Sequence, residues 1–210
     1  QTSFPDIYFQ STTQQFMYRI ISGKWKAKKI AAPRNFDVRP TTDFAKEALF
    51  SILENTYDMQ SISVLDLFAG IGSITLEFAS RGCQDITSVE MNPKHTAFIN
   101  ATAGELDMAL QVNVQRGDVF DWLKKFRNKK SFEIVFSDAP FEMEEKKYQE
   151  IISLVLNNKY LKENGILVVE HQSRMKFNHP NLVDTRKYGN VSFSFFEPNK
   201  EEVNEIQNQE

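Results

Sequence analysis

Cysteine is nearly missing from this chain of 210 residues: Cys83 stands alone, so no internal disulfide can form. Histidine is almost as scarce. His95, His171 and His179 are scattered, with no second cysteine beside them, and offer no zinc-module spacing and no metal site. Uninterrupted apolar runs are short: none reaches the roughly 18–20 residues that a spanning helix needs. No basic, apolar and small-residue series of a secretory signal opens the chain. These absences exclude disulfide scaffolds, structural zinc folds and helical membrane proteins, and the expectation is a cytoplasmic monomer with no membrane partner.

An excess of charge is missing too. With 25 basic and 28 acidic residues the net charge is −3, which on its face argues against a nucleic-acid partner. The average conceals a segregation. Between Met17 and Arg39, seven basic residues (Arg19, Lys24, Lys26, Lys28, Lys29, Arg34, Arg39) face Asp37 alone, a net +6. From Glu197 to Glu210, five glutamates face Lys200, a net −4, with no apolar periodicity.

The remaining composition, 41% hydrophobic and 25% charged with a mean hydropathy of −0.43, is that of an ordinary globular protein. Four stretches are expected. Residues 1–16 are polar and unpatterned, and Tyr8-Phe9-Gln10-Ser11 reads as a cleavage remnant, so they are set aside as a tag or linker. Residues 17–40 form a basic hairpin arm, 41–197 the main domain and 198–210 an acidic tail.

In the arm, Tyr18 to Ile21 and Lys24 to Lys28 flank Ser22-Gly23, a turn signal, and the second run alternates. This predicts a β-hairpin with Lys24, Lys26 and Lys28 on one face of its second strand and Trp25 with Ala27 on the other. With Arg34 and Arg39 nearby, these residues make a footprint for phosphates beside the site. A helix is expected next, capped by Thr42 or Asp43, with Phe44, Ala45, Ala48, Leu49, Ile52 and Leu53 on one face.

From residue 62 the pattern alternates. Strand-like runs at Val64–Phe68, Ile86–Val89, Val112–Gln115, Phe132–Phe136 and Ile166–Val169 are separated by amphipathic stretches at Ile74–Ala79, His95–Leu106, Trp122–Phe126 and Tyr148–Leu156. That alternation predicts a doubly wound, mostly parallel α/β sheet. Leu182–Tyr188 and Val191–Phe196, joined by Gly189-Asn190, are expected to pair antiparallel at its end.

The strongest motif runs from Val64 to Ser73, a buried strand entering the turn Phe68-Ala69-Gly70-Ile71-Gly72 and then a helix. Such a turn lets backbone approach a nucleotide, and Glu90, closing the next strand 20 residues after Gly70, stands where an acid grips two ribose hydroxyls. Position 75 is Thr rather than the third Gly or Ala of a dinucleotide fingerprint. Asp66, at the strand end, suits the ammonium of S-adenosylmethionine and would repel a pyrophosphate. Asp118, at the end of the third strand, can accept from an adenine amino group.

The chemistry-bearing candidate is Ser137-Asp138-Ala139-Pro140-Phe141, ending the fourth strand. An exocyclic amine is a poor nucleophile because its lone pair is delocalised into the base. The Asp138 carboxylate and the Ala139 carbonyl can take its two N–H hydrogens and aim the lone pair, while Phe141 stacks on the ring and Pro140 stiffens the turn. His171 is expected to be structural. Cys83, preceded by Gly82 rather than proline, does not support a cytosine-C5 methyltransferase.

These residues carry a resemblance. The chain resembles the class I S-adenosylmethionine-dependent methyltransferases, and more closely the RsmD family, which methylates guanine N2 in 16S ribosomal RNA. The matches are Arg19 to Lys26, Val38 to Asp43 with Glu47 to Phe50, Leu65 to Gly70, and Tyr188-Gly189-Asn190. The resemblance implies a Rossmann-like fold of seven strands with an antiparallel C-terminal strand and a small N-terminal hairpin. It also implies S-adenosylmethionine as cofactor, bound by Thr42, Asp66, Phe68, Ala69, Gly70, Gly72, Glu90, Met91, Asp118 and Val119. Acceptor contacts are implied at Asp138, Ala139, Pro140 and Phe141, and RNA contacts at Lys24, Trp25, Lys26, Lys28, Arg34 and Arg39. The partner implied is 16S rRNA in a 30S subunit or assembly intermediate. Ala139 departs from the family's Asp-Pro-Pro-aromatic turn, keeping the carbonyl while losing one ring's rigidity. Two other readings are an N6-adenine or protein-glutamine methyltransferase and a weakly active cofactor-binding module.

Overall fold

In the computed structural model, residues 16–33, 36 and 41–198 are described. Arg34, Arg39, residues 1–15 and the acidic run after Pro198 lie outside them.

Seven strands form one sheet: β3 (Ser63–Leu67), β4 (Asp85–Glu90), β5 (Val112–Arg116), β6 (Phe132–Ser137), β7 (Leu161–Gln172), β8 (Leu182–Tyr188) and β9 (Val191–Phe196). Their order is β5-β4-β3-β6-β7-β9-β8, parallel from β5 to β7, with β9 antiparallel to both of its neighbours. The expected architecture is present. All five residues of β3 are buried, as a central parallel strand covered on both faces requires.

Helices α1 (Asp43–Glu54), α2 (Ser73–Ser80) and α3 (Pro93–Glu105) cover one face, where Leu49, Phe78 and Ile99 join Val64, Phe136, Val168 and Phe193 in one core. Helices α4 (Val119–Lys125) and α5 (Glu145–Asn157) cover the other, where Leu123 and Ile152 join Leu65, Val135 and Leu167. Chain order reverses between β3 and β6. In open α/β sheets, ligands bind at the carboxyl ends of the strands at that switch point.

The N-terminal hairpin is present but shifted. Its strands are β1 (Phe16–Arg19) and β2 (Lys29–Ala32), paired Met17 to Ala31 and Tyr18 to Ile30. Lys24 to Ala27 form a turn, not a strand, so the expected two-faced alternation is wrong: Lys24, Lys26, Ala27 and Lys28 are all exposed and only Trp25 is half-buried.

The cause is tertiary. The buried Glu77 carboxylate on α2 accepts the amide hydrogens of Ile21 (2.8 Å) and Ser22 (3.0 Å), while the Lys24 amide donates to the Ser80 carbonyl and the Trp25 amide to the Ser80 hydroxyl. Gly23 has φ +83°, and a Cβ there would sit 1.9 Å from the Ser80 carbonyl oxygen, so no side chain fits. The docked turn is fixed to the C-terminal end of α2.

Candidate active site

The loop after β3 is shaped by two left-handed glycines, Gly70 (φ +54°) and Gly72 (φ +81°). They differ in what they require. A Cβ on Gly70 would meet nothing closer than 3.9 Å, whereas one on Gly72 would meet Ile99 Cγ1 at 2.9 Å, so Gly72 is what lets α3 pack against the start of α2. Phe68, also at positive φ (60°), turns its ring against Phe120, 6.4 Å between centroids, and Ala69 is held by its amide on the Val89 carbonyl (3.1 Å).

Glu90, at the carboxyl end of β4, closes this loop. Its Oε2 accepts the Gly70 amide hydrogen (2.8 Å) and its Oε1 that of Asn92 (2.7 Å), the cap of α3. The spacing of 20 residues is thus a direct contact. Met91, the next residue, is 65% exposed.

Asp66 is buried on β3. Its Oδ2 accepts from the Thr75 hydroxyl (2.5 Å), which also meets the Ser88 hydroxyl (2.6 Å). Thr75, which in the sequence marks only a missing glycine, anchors this carboxylate. Burial pushes Asp66 up to about 7 against the hydrogen bonds from Thr75, which lower it. Asp118 is the N-cap of α4, accepting the amide hydrogens of Phe120 (2.9 Å) and Asp121 (3.1 Å), with Val119 buried behind it. Thr42 caps α1, accepting from the Ala45 amide (3.2 Å).

The acceptor turn follows β6. Its start is tied to β3 by the Asp138 amide on the Leu67 carbonyl (3.3 Å). Asp138 is half-buried, and desolvation, with the like charges of Glu170 and Asp66, raises its carboxyl well above the ordinary carboxylate range. The Ala139 carbonyl accepts from the Tyr148 hydroxyl on α5 at 3.2 Å, and so does the Pro140 carbonyl at 3.3 Å. A carbonyl has two lone pairs, so Ala139 retains one for a substrate N–H. The Phe141 carbonyl accepts from the side-chain Nε2 of Gln172 (3.0 Å).

Three residues of this site, Tyr148, Glu170 and Thr41, carry no local signal in the sequence. Tyr148 sits in an amphipathic stretch and reads as core. Glu170, buried at the end of β7, accepts from the hydroxyl of buried Thr41 at 2.6 Å, tying the entry of α1 to the sheet beside Asp138. His171 is structural as expected, held by Ser194 (2.8 Å) and the Gln172 carbonyl (3.0 Å).

Asp66, Glu90, Asp118 and Asp138 therefore converge on strand ends around the glycine loop. Among the described residues, no lysine or arginine forms an ion pair with any of them. This donor set fits a cationic nucleoside such as S-adenosylmethionine and opposes a pyrophosphate.

The lysine-rich turn of the arm lies elsewhere, although Tyr18 of its first strand donates to the Ile71 carbonyl of the glycine loop (2.9 Å). Lys24, Trp25, Lys26 and Lys28 sit at the far end of α2, whose eight residues span about 12 Å at the usual helical rise, rather than beside the glycine loop.

Comparison with known proteins gives a consistent picture. The family model described as "Conserved hypothetical protein 95" matches residues 18–197. The ribosomal RNA small subunit methyltransferase D of Buchnera aphidicola subsp. Baizongia pistaciae is 32% identical over 157 residues, 75% of this chain and 77% of that one. The protein of the same name from Haemophilus influenzae is 31% identical over 183 residues, 85% and 93% of the two chains. Among solved structures, yhhF from Escherichia coli superposes with a TM-score of 0.73 at 27% identity, over 88% of this chain and all of that one. The 16S rRNA N2 G1207 methyltransferase RsmC of T. thermophilus, solved with AdoMet and guanosine, has a TM-score of 0.66 at 18% identity, over 89% and 50%, a likeness of fold.

Proposed function

Because the chain belongs to the family described as "Conserved hypothetical protein 95", with ribosomal RNA small subunit methyltransferases D as relatives, we propose that it methylates the exocyclic N2 of a guanine in 16S rRNA, using S-adenosylmethionine. The observation that carries the chemistry is the placement of the Asp138–Phe141 turn next to the glycine loop, on strands flanking the switch point.

When bound, S-adenosylmethionine supplies a methyl group on a sulfonium, whose sulfur keeps the bonding pair as the methyl leaves. Glu90 takes the ribose hydroxyls. Asp66 and its neighbouring carboxylates favour the positive amino and sulfonium groups, Asp118 and Val119 flank the adenine, and Thr42, Phe68, Ala69, Gly70, Gly72 and Met91 line the cleft. The acceptor guanine has to leave its stack to reach the turn. Asp138 and the Ala139 carbonyl then accept the two N2 hydrogens, and Phe141 supports the ring. Catalysis is mostly alignment. After transfer the amine carries an extra proton, which leaves to Asp138 or to water.

Radiolabelled methyl transfer to naked 16S rRNA, to DNA and to 30S particles from a strain lacking the enzyme tests this reading. Incorporation into rRNA or 30S particles as N2-methylguanosine is expected. Incorporation into DNA alone, or as N6-methyladenosine, would transfer the same site to the adenine reading, and none at all with cofactor bound would leave an inactive module.

A further inference from the structure

The loop leaving β7 carries two cations outside the site described above. Its Ser173 amide donates to the Asn190 carbonyl (3.0 Å) and its hydroxyl to the Gly189 carbonyl (3.2 Å), which fixes this loop to the β8–β9 turn. Gln172, one residue earlier, holds the Phe141 carbonyl. The loop therefore adjoins the Asp138–Phe141 turn through Gln172 and the β8–β9 turn through Ser173. Arg174 and Lys176 on the loop, and Lys187 near the end of β8, are exposed and, among the described residues, have no acidic partner within ion-pair distance.

An aromatic pair lies on the same border. Phe44, in the first turn of α1, is 69% exposed and meets the half-buried Tyr188 edge to face, 5.9 Å between centroids. Phe44 sits three residues after Thr41, which is bound to Glu170 beside Asp138. Nothing in the fold needs a large apolar ring exposed there. A base flipped into a pocket leaves its neighbours unstacked, and bare aromatic rings with cations for the backbone are what such nucleotides bind.

We propose that single-stranded RNA flanking the acceptor base is held at the mouth of the site by this second surface, with Phe44 and Tyr188 stacking an adjacent base and Arg174, Lys176 and Lys187 meeting its phosphates. The proposal rests on the functional reading above. It assigns the holding of the reacting strand to the mouth, and leaves the Lys24–Lys28 turn, at the far end of α2, to more distant RNA.

The test uses the full chain, a short fluorescein-labelled single-stranded RNA containing guanine, and 16S rRNA as methyl acceptor. Loss of one stack in Phe44→Ala should weaken oligonucleotide binding roughly 5- to 150-fold, with the salt slope unchanged. The double variant Arg174→Glu, Lys176→Glu should instead flatten the dependence of log affinity on log salt by about 0.7 for each phosphate no longer neutralised. Both should raise KM for 16S rRNA while leaving calorimetric affinity for S-adenosylhomocysteine unchanged, which also reports that the variants are folded. Wild-type affinity and KM in both variants, with the wild type methylating rRNA, would overturn this proposal and leave the functional reading standing. So would loss of binding confined to Lys24→Glu, Lys26→Glu. A wild type that binds cofactor but neither binds nor methylates RNA would overturn the functional reading itself.

Discussion

One buried phenol, that of Tyr148, holds the Ala139 and Pro140 carbonyls at 3.2 and 3.3 Å, so α5 restrains the turn proposed to align the acceptor amine. This restraint acts where a second proline is lacking.

Tyr148→Phe keeps the ring packing and deletes the hydroxyl. A net hydrogen bond is worth about 1 kcal/mol, so kcat should fall roughly fivefold. Affinity for S-adenosylhomocysteine should change far less than kcat, because the deleted hydroxyl bonds only the Ala139 and Pro140 carbonyls of the turn after β6. Unchanged kcat in steady-state assays would remove the turn from any positioning role.

With Asp66 in the proposed cofactor site, binding should depend on pH. The Asp66 carboxyl moves from 3.8 to about 7 on folding. Between those values the folded chain holds a proton that the unfolded chain has released, so the favourable contribution of the neutral carboxyl is complete below about pH 4 and is lost as pH rises to about 7. The ammonium group that S-adenosylmethionine and S-adenosylhomocysteine share prefers the ionised form. Ligand affinity should therefore climb as pH rises toward 7, by up to about tenfold per unit, and level off above. Calorimetry with S-adenosylhomocysteine from about pH 6 to about pH 8 reads this directly. A flat profile in the wild type, or one unaltered in Asp66→Asn, would refute the assignment.

Glu90→Ala removes the carboxylate that accepts from Gly70 and Asn92. Charged hydrogen bonds contribute about 1.5–3 kcal/mol each, so cofactor affinity should drop by at least about tenfold, and the thermal stabilisation by S-adenosylhomocysteine should shrink with it. Equal stabilisation in the variant would place the ribose elsewhere.

The central strands were legible because they are short apolar runs between turn signals, and the carboxylates because Asp66 interrupts one such run while Glu90, Asp118 and Asp138 follow the ends of the next three. What sequence hid was long-range. Lys24-Trp25-Lys26-Ala27-Lys28 alternates like a strand, yet Glu77 and Ser80, more than fifty residues away, capture the amides of Ile21, Ser22, Lys24 and Trp25 and fold the run as a turn. Strand β7 starts at Leu161 rather than near Ile166: Leu161 pairs with Phe132 ahead of a register shift, and a Cβ on Gly165 would lie 2.9 Å from the Phe132 and Lys162 carbonyl oxygens, so the run before Ile166 carries no apolar signal of a strand. Thr41 and Glu170 are 129 residues apart, and no local pattern joins them.

Glu77 shows the same dependence energetically. It is fully buried, with Lys46 Nζ at 3.3 Å and the Arg81 guanidinium at 2.9 Å, besides the two hairpin amides. Glu77→Ala strands the buried Lys46 ammonium, which should cost about 3–5 kcal/mol. Melting should fall by roughly 10 °C, at roughly 2–4 °C per kcal/mol for a chain of this size. Hydrogen exchange should show the amides of Ile21, Ser22 and Lys24 losing protection first. An unshifted melting curve would mean that the hairpin is held by its apolar contacts alone.

The most direct test of the acceptor turn is mass spectrometry of nucleosides from 16S rRNA incubated with S-adenosylmethionine and either wild-type chain or Asp138→Ala. N2-methylguanosine is expected with the wild type and none above background with the variant, while both bind S-adenosylhomocysteine alike. Equal N2-methylguanosine from the two, or a different methylated nucleoside from the wild type, would contradict it.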